Sequence, residues 1–293
     1  MMYRSSYLLV LLPVAYFLVF RYLPLWNAQI AFKEFWALKG VIGSPWNGLK
    51  NFYEFFNSYY FWELIRNTLG YSFGKLIVGL PVAVSLAIAI TESKLKFFKK
   101  IVQTMTYLPH FMSWVIMLGL LIMVLSPGDG LLNELIKAFG GKPIAFMTSP
   151  TAFPFIVILS DLWKEMGWSA IIFIAALTAI DPNLYEAADI EGASNFQRIR
   201  YITLPGILDV IVVVVLLRLG TILNAGFHQI FILYSPAVYS VSDIIDTWVY
   251  RQGLLEFRFS LATAVGLFKG VIGLLLLLFT NRLIRRYTGS SLY

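Results

Sequence analysis

Six long apolar stretches determine what this chain can fold into. They cover residues 5–25, 64–90, 101–125, 153–177, 207–233 and 261–284. A helix that crosses a bilayer needs about 20 predominantly apolar residues, so each stretch is long enough to span a membrane. Only 13% of the residues are charged, which is too few to cover the surface of a soluble enzyme. The sequence therefore predicts an all-α, polytopic membrane protein with six transmembrane helices in a single domain over residues 1–293.

Basic residues predict the orientation of these spans. The short connection between residues 90 and 101 contains four lysines, and three arginines follow residue 281. Lysine and arginine concentrate in short cytoplasmic segments, so we expect both of these segments, both termini and residues 178–206 in the cytoplasm. No small-residue cleavage site follows the first stretch, so we expect a retained span rather than a signal peptide. The connections 26–63, 126–152 and 234–260 are then extracytoplasmic.

Several kinds of catalytic or ligand site have no support in the sequence. The chain contains no cysteine and only two histidines, which argues against disulfides, thiolate catalysis and a histidine-rich metal site. It has no Gly-x-x-x-x-Gly-Lys-Ser/Thr phosphate loop. The net charge of +7 is accounted for by residues that flank the spans, so nucleic acid is not expected as a partner. We predict a non-catalytic protein with no metal site, and any ATP hydrolysis must occur on another subunit.

The connection between the fourth and fifth spans carries the clearest local signals. Asp181 is suited to an N-cap and Pro182 to the first position of a helix. Gly192 can adopt the left-handed conformation that ends a helix, and Ser194 with Gln197 forms the pattern of a capping box. The pattern predicts a short helix, a sharp turn and a second helix, all exposed to the cytoplasm. Taken alone, it fits either an element that docks on a partner protein or an amphipathic connector on the membrane surface.

The same loop resembles the EAA loop of ABC importer permeases, the element that docks into the cytoplasmic ATPase subunit. The matching positions are Glu186, Ala187, Ala188, Gly192, Ala193, Ile202, Leu204 and Pro205. The resemblance implies an ABC type I importer permease fold with a cytoplasmic coupling helix. It also implies the ATPase-coupling residues, which are Glu186, Ala187, Ala188, Asp189, Gly192 and Ala193.

Four further segments resemble carbohydrate permeases of the maltose-importer type. They are Pro45–Phe52, Asp129–Asn133, Asp161–Trp168 and Ala262–Lys269. The resemblance implies a multi-pass subunit in a bacterial cytoplasmic (inner) membrane that imports an oligo- or polysaccharide. Its implied partners are a second homologous permease, two ATPase subunits that bind ATP and Mg, and an extracytoplasmic solute-binding protein. The large periplasmic insertion and the eight spans of the maltose protein are absent, so roles built on that insertion do not carry over.

Polar side chains within the spans suggest a translocation path. The predicted path residues are Asp161, Trp163, Lys164, Trp168, Asn224, His228 and Gln229. Intramembrane polar groups usually face protein or water, and aromatic rings with nearby polar groups suit a sugar. The alternatives are snorkelling or interfacial side chains in the fourth span and interhelical hydrogen bonds in the fifth. Arg218 and Lys269 would pair with a partner subunit's carboxylate or favour an acidic saccharide such as a uronate oligomer. A self-sufficient secondary transporter of a small polar solute is the alternative function.

Overall fold

The described part of the protein is almost entirely helical. A computed structural model describes residues 4–288, with side chains from residue 9 to residue 286. Within that range the one β-interaction is an isolated antiparallel bridge between Lys33 and Trp46. The predicted all-α class is confirmed. Both termini, which the sequence assigns to the cytoplasm, lie outside the described residues.

Sixteen α-helices occur among the described residues, joined by shorter 3₁₀ and π segments. Their bounds are α1 Arg4–Phe17, α2 Gly40–Gly43, α3 Lys50–Phe56, α4 Phe61–Glu92, α5 Lys96–Tyr107, α6 Trp114–Leu125, α7 Leu131–Ala138, α8 Phe153–Thr178, α9 Pro182–Ile190, α10 Asn195–Arg198, α11 Leu204–Gly206, α12 Leu208–Gly220, α13 Phe227–Leu233, α14 Tyr239–Ser242, α15 Ile245–Tyr250 and α16 Phe259–Thr288.

The chain divides into two compact units. Unit 1 comprises Met1–Trp62 and Ile245–Ile272, and unit 2 comprises Glu63–Ile244 and Gly273–Tyr293. Unit 2 contains two apolar cores. One core includes Phe153 and Ile230, and the other includes Phe173 and Ile207. In both cores α8 therefore contributes a buried phenylalanine.

Three helical segments are long and apolar enough to cross a membrane. They are Leu9–Phe32, Phe61–Glu92 and Phe259–Arg286. Three further segments meet the combined requirement of length and apolar composition only as pairs of helices bent at a short break, so the described residues hold three to six candidate spans. The bends are 111° after Phe111, 72° after Thr178 and 57° after Gly206.

The predicted third span is not a continuous helix. Helix α5 passes into a 3₁₀ turn at Leu108–Phe111, and α6 begins only at Trp114. Pro109 lies at the start of this turn, where its ring prevents the continuous backbone hydrogen bonding of an α-helix. The sequence prediction treated this stretch by its hydropathy alone, and hydropathy does not detect such a break.

The predicted fifth span is also interrupted. Helix α12 ends at Gly220 and α13 begins at Phe227, after a segment in which Gly226 has a φ of +99°. That conformation suits glycine because it has no Cβ. Carbonyls released by such breaks must find other donors within a membrane. At both breaks a lysine from another helix supplies such a donor.

Candidate coupling loop and translocation residues

Helix α9 begins as its capping residues predict. The side chain of Asp181 accepts a hydrogen bond from the backbone N–H of Asn183 at 2.9 Å, and Pro182 occupies the first helical position. Together these residues satisfy or remove backbone donors that lack partners within the first turn of the helix. The axis turns by 72° between α8 and α9, so α9 does not continue the preceding span.

A Schellman motif ends α9 at Gly192. Gly192 has a φ of +75°, its N–H donates to the Asp189 carbonyl at 3.1 Å, and the Ala193 N–H donates to the Ala188 carbonyl at 2.9 Å. These are the two hydrogen bonds that define the motif. Space around Gly192 is open, because a Cβ built there would meet no atom within 4 Å. Backbone conformation, rather than crowding within this chain, is therefore what favours glycine here.

The second helix of the loop begins with the predicted capping box. The backbone N–H of Gln197 donates to the Ser194 hydroxyl at 3.3 Å, and the Gln197 side chain accepts from the Ser194 backbone N–H at 2.8 Å. Both orphan donors at this helix start are thus satisfied by side chains. The helix–turn–helix prediction for residues 181–198 is confirmed.

Helix α9 offers most of its surface to solvent in this chain. None of its residues is buried among the described part of the protein, and Ile190 is 89% exposed. Glu186, Ala187 and Asp189 are exposed, while Ala188 and Ala193 are half-buried. The small side chains permit close approach by another protein, and Glu186 supplies a carboxylate acceptor. This geometry suits a docking helix.

Arg198 holds the loop together, and sequence reasoning missed it. Its guanidinium donates to Asp189 Oδ1 at 2.5 Å and to Asn195 Oδ1 at 2.7 Å. It also lies 3.9 Å from Glu92 Oε2, at the last residue of α4. Asp189 is thus paired within the chain, and Arg198 connects both loop helices to the end of a long apolar helix. Asp189 and Arg198 are nine residues apart in a loop, and such a pair produces no periodic pattern in the sequence.

Three of the intramembrane polar residues form one network, in which Gln229 is buried and Lys75 and Asp161 are half-buried. Lys75 Nζ donates to Gln229 Oε1 at 2.5 Å and to the Ala225 carbonyl at 2.9 Å, and it lies 3.0 Å from Asp161 Oδ1. The Gln229 amide donates to Val157 O at 2.7 Å. This network links the break between α12 and α13 to α4 and α8. For Asp161 and Gln229 the geometry therefore supports a structural role first.

Lys164 supplies the donors at the other break. Its side chain is 7% exposed, and its ammonium donates to the carbonyls of Pro109, His110 and Met112 at 3.2, 2.5 and 2.7 Å. All three of its N–H bonds are used to satisfy backbone oxygens between α5 and α6. Its role on the translocation path is untested, and its observed contacts are those of a helix cap.

The other predicted path residues remain accessible. Trp163 and Trp168 are 39% and 46% exposed, and Asn224 and His228 are also exposed. Neither Asn224 nor His228 has a side-chain hydrogen bond to any described residue. The predicted set thus separates into polar groups bonded within the fold and side chains that present free surface.

An aromatic platform joins the predicted Trp168 on α8 to His110, which sequence reasoning missed and which lies in the 3₁₀ turn Leu108–Phe111. The His110 ring stacks on Trp168 with centroids 4.5 Å apart and planes 1° apart, and Phe111 meets Trp168 edge-on at 6.0 Å. His110 Nδ1 lies 2.9 Å from Glu165 Oε2. Gly167 allows α5 to lie close to α8, since a Cβ there would meet the Thr106 carbonyl oxygen at 2.1 Å. The platform joins flat ring faces to a carboxylate.

The two other basic residues considered for the path differ in their surroundings. Lys269 Nζ lies 2.5 Å from Asp246 Oδ1, so it already has a carboxylate partner within this chain, and its pairing with a carboxylate of a partner subunit stays a prediction. Arg218 is exposed and has no ion pair with any residue that the structure describes. Among those residues, no group of three or more His, Cys, Asp or Glu side chains could hold a metal ion.

Comparison with known proteins identifies the family. The family model described as "Binding-protein-dependent transport system inner membrane component" matches residues 79–289. This range contains both helices of the loop at 181–198 and all of the predicted path residues.

Relatives and solved structures agree with this match over nearly the whole chain. The polygalacturonan/rhamnogalacturonan transport system permease protein YteP of Bacillus subtilis (strain 168) is 42% identical over 99% of this chain and 90% of its own. The crystal structure of a bacterial ABC transporter involved in the import of the acidic polysaccharide alginate aligns with a TM-score of 0.91. It is 40% identical and covers 98% of this chain and 97% of that one. A second structure, of a bacterial alginate ABC transporter with an alginate pentasaccharide-bound periplasmic protein, has the same TM-score, with 39% identity over 99% and 97% of the two chains.

These similarities confirm the type I permease fold and favour the ABC transporter interpretation over a secondary transporter. The relatives are transport permease subunits rather than enzymes. The chain belongs to the family of binding-protein-dependent transport system inner membrane components, the permease subunits of ABC importers.

Proposed function

We propose that the chain is one of two homologous permease subunits in an importer of oligo- or polysaccharides, driven by two cytoplasmic ATPase subunits. Helix α9 is the part that docks on an ATPase subunit. Its exposed surface and its Schellman turn at Gly192 support this assignment. ATP and Mg then bind the ATPase subunits, and both termini of this chain lie in the cytoplasm. An extracytoplasmic solute-binding protein delivers the substrate.

The substrate we propose is an acidic saccharide, of the uronate class. The observation that carries this proposal is similarity over almost the whole chain to a polygalacturonan/rhamnogalacturonan permease and to an alginate importer. Polygalacturonan and alginate are both polymers of carboxylated sugars. Arg218 is exposed and has no ion pair with a described residue, so its guanidinium could pair with the carboxylates of such a substrate.

The aromatic platform is the part of unit 2 best suited to a sugar. Trp168 presents 46% of its surface, and His110 on its other face holds the indole in a fixed orientation. Flat rings pack on the apolar face of a sugar, while polar groups nearby hold its hydroxyls. Trp168 lies 15 residues from the start of α8 and 10 from its end, which corresponds to a position deep within a span.

Replacement of Trp168 by Ala is expected to lower saccharide uptake about tenfold, the effect of losing roughly 1.4 kcal/mol of interaction in the limiting step. Trp168→Phe, which retains a flat ring, should retain most of the uptake. The measurement is uptake of radiolabelled trigalacturonate into proteoliposomes that contain the complete complex and its binding protein. The amount of assembled complex is quantified for each variant.

Equal uptake by Trp168→Ala and wild type would exclude the platform from the path. Uptake of neutral trisaccharides alone by the wild-type complex would exclude the acidic substrate class and leave the permease assignment intact. A drop in uptake that matches a drop in assembled complex would assign Trp168 to folding.

A further inference from the structure

Unit 1 contains an open groove with a mixed polar and aromatic lining. Its volume is about 540 Å³, within the range of roughly 300–1,000 Å³ that is common for small-molecule sites. Its lining residues all belong to the two connections 26–63 and 234–260 or lie next to them, which the charge distribution assigns to the extracytoplasmic side. They are Lys50, Tyr53, Glu54, Asn57, Ser58, Trp248, Arg258 and Leu261.

Helix α3 presents one polar face to this groove. Tyr53, Glu54 and Asn57 lie three, four and seven residues after Lys50, which places all four on the same side of a helix, with Asn57 as the residue that caps α3. An adjacent side of the helix is anchored, since the Asn51 amide donates to the carbonyls of Ala31 and Lys33 at 2.8 and 3.1 Å. The orientation of the polar face is therefore fixed by the fold of unit 1.

Arg258 is held in place by its neighbours. Its guanidinium donates to Gln252 Oε1 at 2.9 Å and pairs with Glu54. The preceding residue, Phe257, has a φ of +56°, a conformation that is rare for residues other than glycine. Strained backbone of this kind is found most often where a side chain must be positioned for function. Here it directs the chain into the bend that carries Arg258.

Two donors in the groove have no acceptor within the described part of the chain. Lys50 is exposed and its ammonium has neither a hydrogen bond nor an ion pair there. Trp248 is 4% exposed and packs on Phe55 at 5.5 Å, yet its indole N–H has no hydrogen-bond partner in that same range. The groove thus carries one carboxylate, two cations and an indole N–H that has no acceptor among the described residues.

We propose that this groove is an extracytoplasmic subsite for a carboxylate-bearing saccharide, with Lys50 as the group that binds the carboxylate. Lysine and arginine make their strongest hydrogen bonds to carboxylates, and Lys50 is the cation not already paired. The indole N–H of Trp248 donates to a sugar oxygen. A concave site with aromatic walls and a few convergent donors suits a sugar better than the flat surface of a docked protein. This inference rests on the proposed acidic saccharide substrate.

The test compares trigalacturonate with its trimethyl ester, which differs only in its carboxylates. Binding of each probe to the complete complex in lipid nanodiscs, without the binding protein, is measured by microscale thermophoresis. Wild type should bind the acid about tenfold more tightly than the ester, as expected for one hydrogen bond to a charged group. Lys50→Gln should remove this preference, and Trp248→Phe should weaken the binding of both probes. Lys39→Gln is the matched control, because Lys39 is an exposed lysine of the same connection that does not line the groove.

Equal acid preference in Lys50→Gln and wild type would overturn the subsite. A second result would also overturn it: Lys50→Gln binds both probes as wild type does but associates more weakly with the unliganded binding protein. That result would assign the groove to protein docking. Uptake by the wild-type complex is measured in parallel. If the complex imports trigalacturonate but Lys50→Gln keeps the preference, only the subsite fails. If the complex imports no saccharide, the proposed function fails.

Discussion

Replacement of Lys164 by Met is expected to unfold or strongly destabilise unit 2. Lys164 is 7% exposed and donates to three carbonyls at the break between α5 and α6. Methionine has a similar length but no donor, so these oxygens would lose their partners where water is scarce. Each unsatisfied buried acceptor costs about 1–3 kcal/mol, which sums to roughly 3 kcal/mol or more. That loss is a large part of the stability of a typical protein, about 5–15 kcal/mol.

The thermal unfolding of the complex in nanodiscs measures this effect. Lys142→Met is the matched control, since Lys142 is exposed and has no ion pair with a described residue. The control should unfold at the wild-type temperature, whereas Lys164→Met should unfold many degrees lower or fail to assemble. If Lys164→Met unfolds at the same temperature as wild type, the three carbonyls find other donors.

Replacement of Gly192 by Val is expected to abolish coupling while the protein remains inserted in the membrane. The φ of +75° at Gly192 costs a residue with a Cβ about 1–2 kcal/mol, and a β-branched side chain is especially disfavoured there. The Schellman turn should open, so that α9 no longer presents the same surface to the ATPase subunit. Uptake and substrate-stimulated ATP hydrolysis should fall together, by about tenfold or more.

Gly140→Val separates coupling from backbone strain. Gly140 has a φ of +79° and, like Gly192, open space around its Cβ position, but it follows α7 in a connection predicted to be extracytoplasmic. The two substitutions therefore cost similar strain at sites that are predicted to lie on opposite sides of the membrane. We expect Gly140→Val to retain uptake. Equal loss in both variants would attribute the effect of Gly192→Val to general destabilisation.

Local chemistry made the coupling loop predictable from the sequence. Asp181, Gly192 and the Ser194–Gln197 pair each act on backbone groups within five residues, so their spacing alone specifies the turn and both helix starts. The structure confirms these features. Hydropathy likewise predicted the membrane class, because the length of an apolar run is a local property.

Features that depend on distant contacts were not predictable from one sequence. Lys164 meets carbonyls 52 to 55 residues away, and Lys75 meets Gln229 across 154 residues. Without those contacts, a lysine in an apolar run has the same signature whether it faces a pore or caps a broken helix. The His110–Trp168 stack was missed for the same reason, since His110 has no distinguishing neighbour in sequence.

Photo-cross-linking from α9 tests the central claim, that this helix docks on the ATPase subunit. The chain has no cysteine, so Ala187→Cys introduces a single site for benzophenone maleimide on the exposed surface of α9. Ala138→Cys, on the exposed end of α7, is the matched control. After irradiation of native-host membranes, mass spectrometry should identify the ATPase subunit joined to residue 187 and not to residue 138. Cross-links from residue 187 to lipid or to other proteins, with none to an ATPase subunit, would contradict the account.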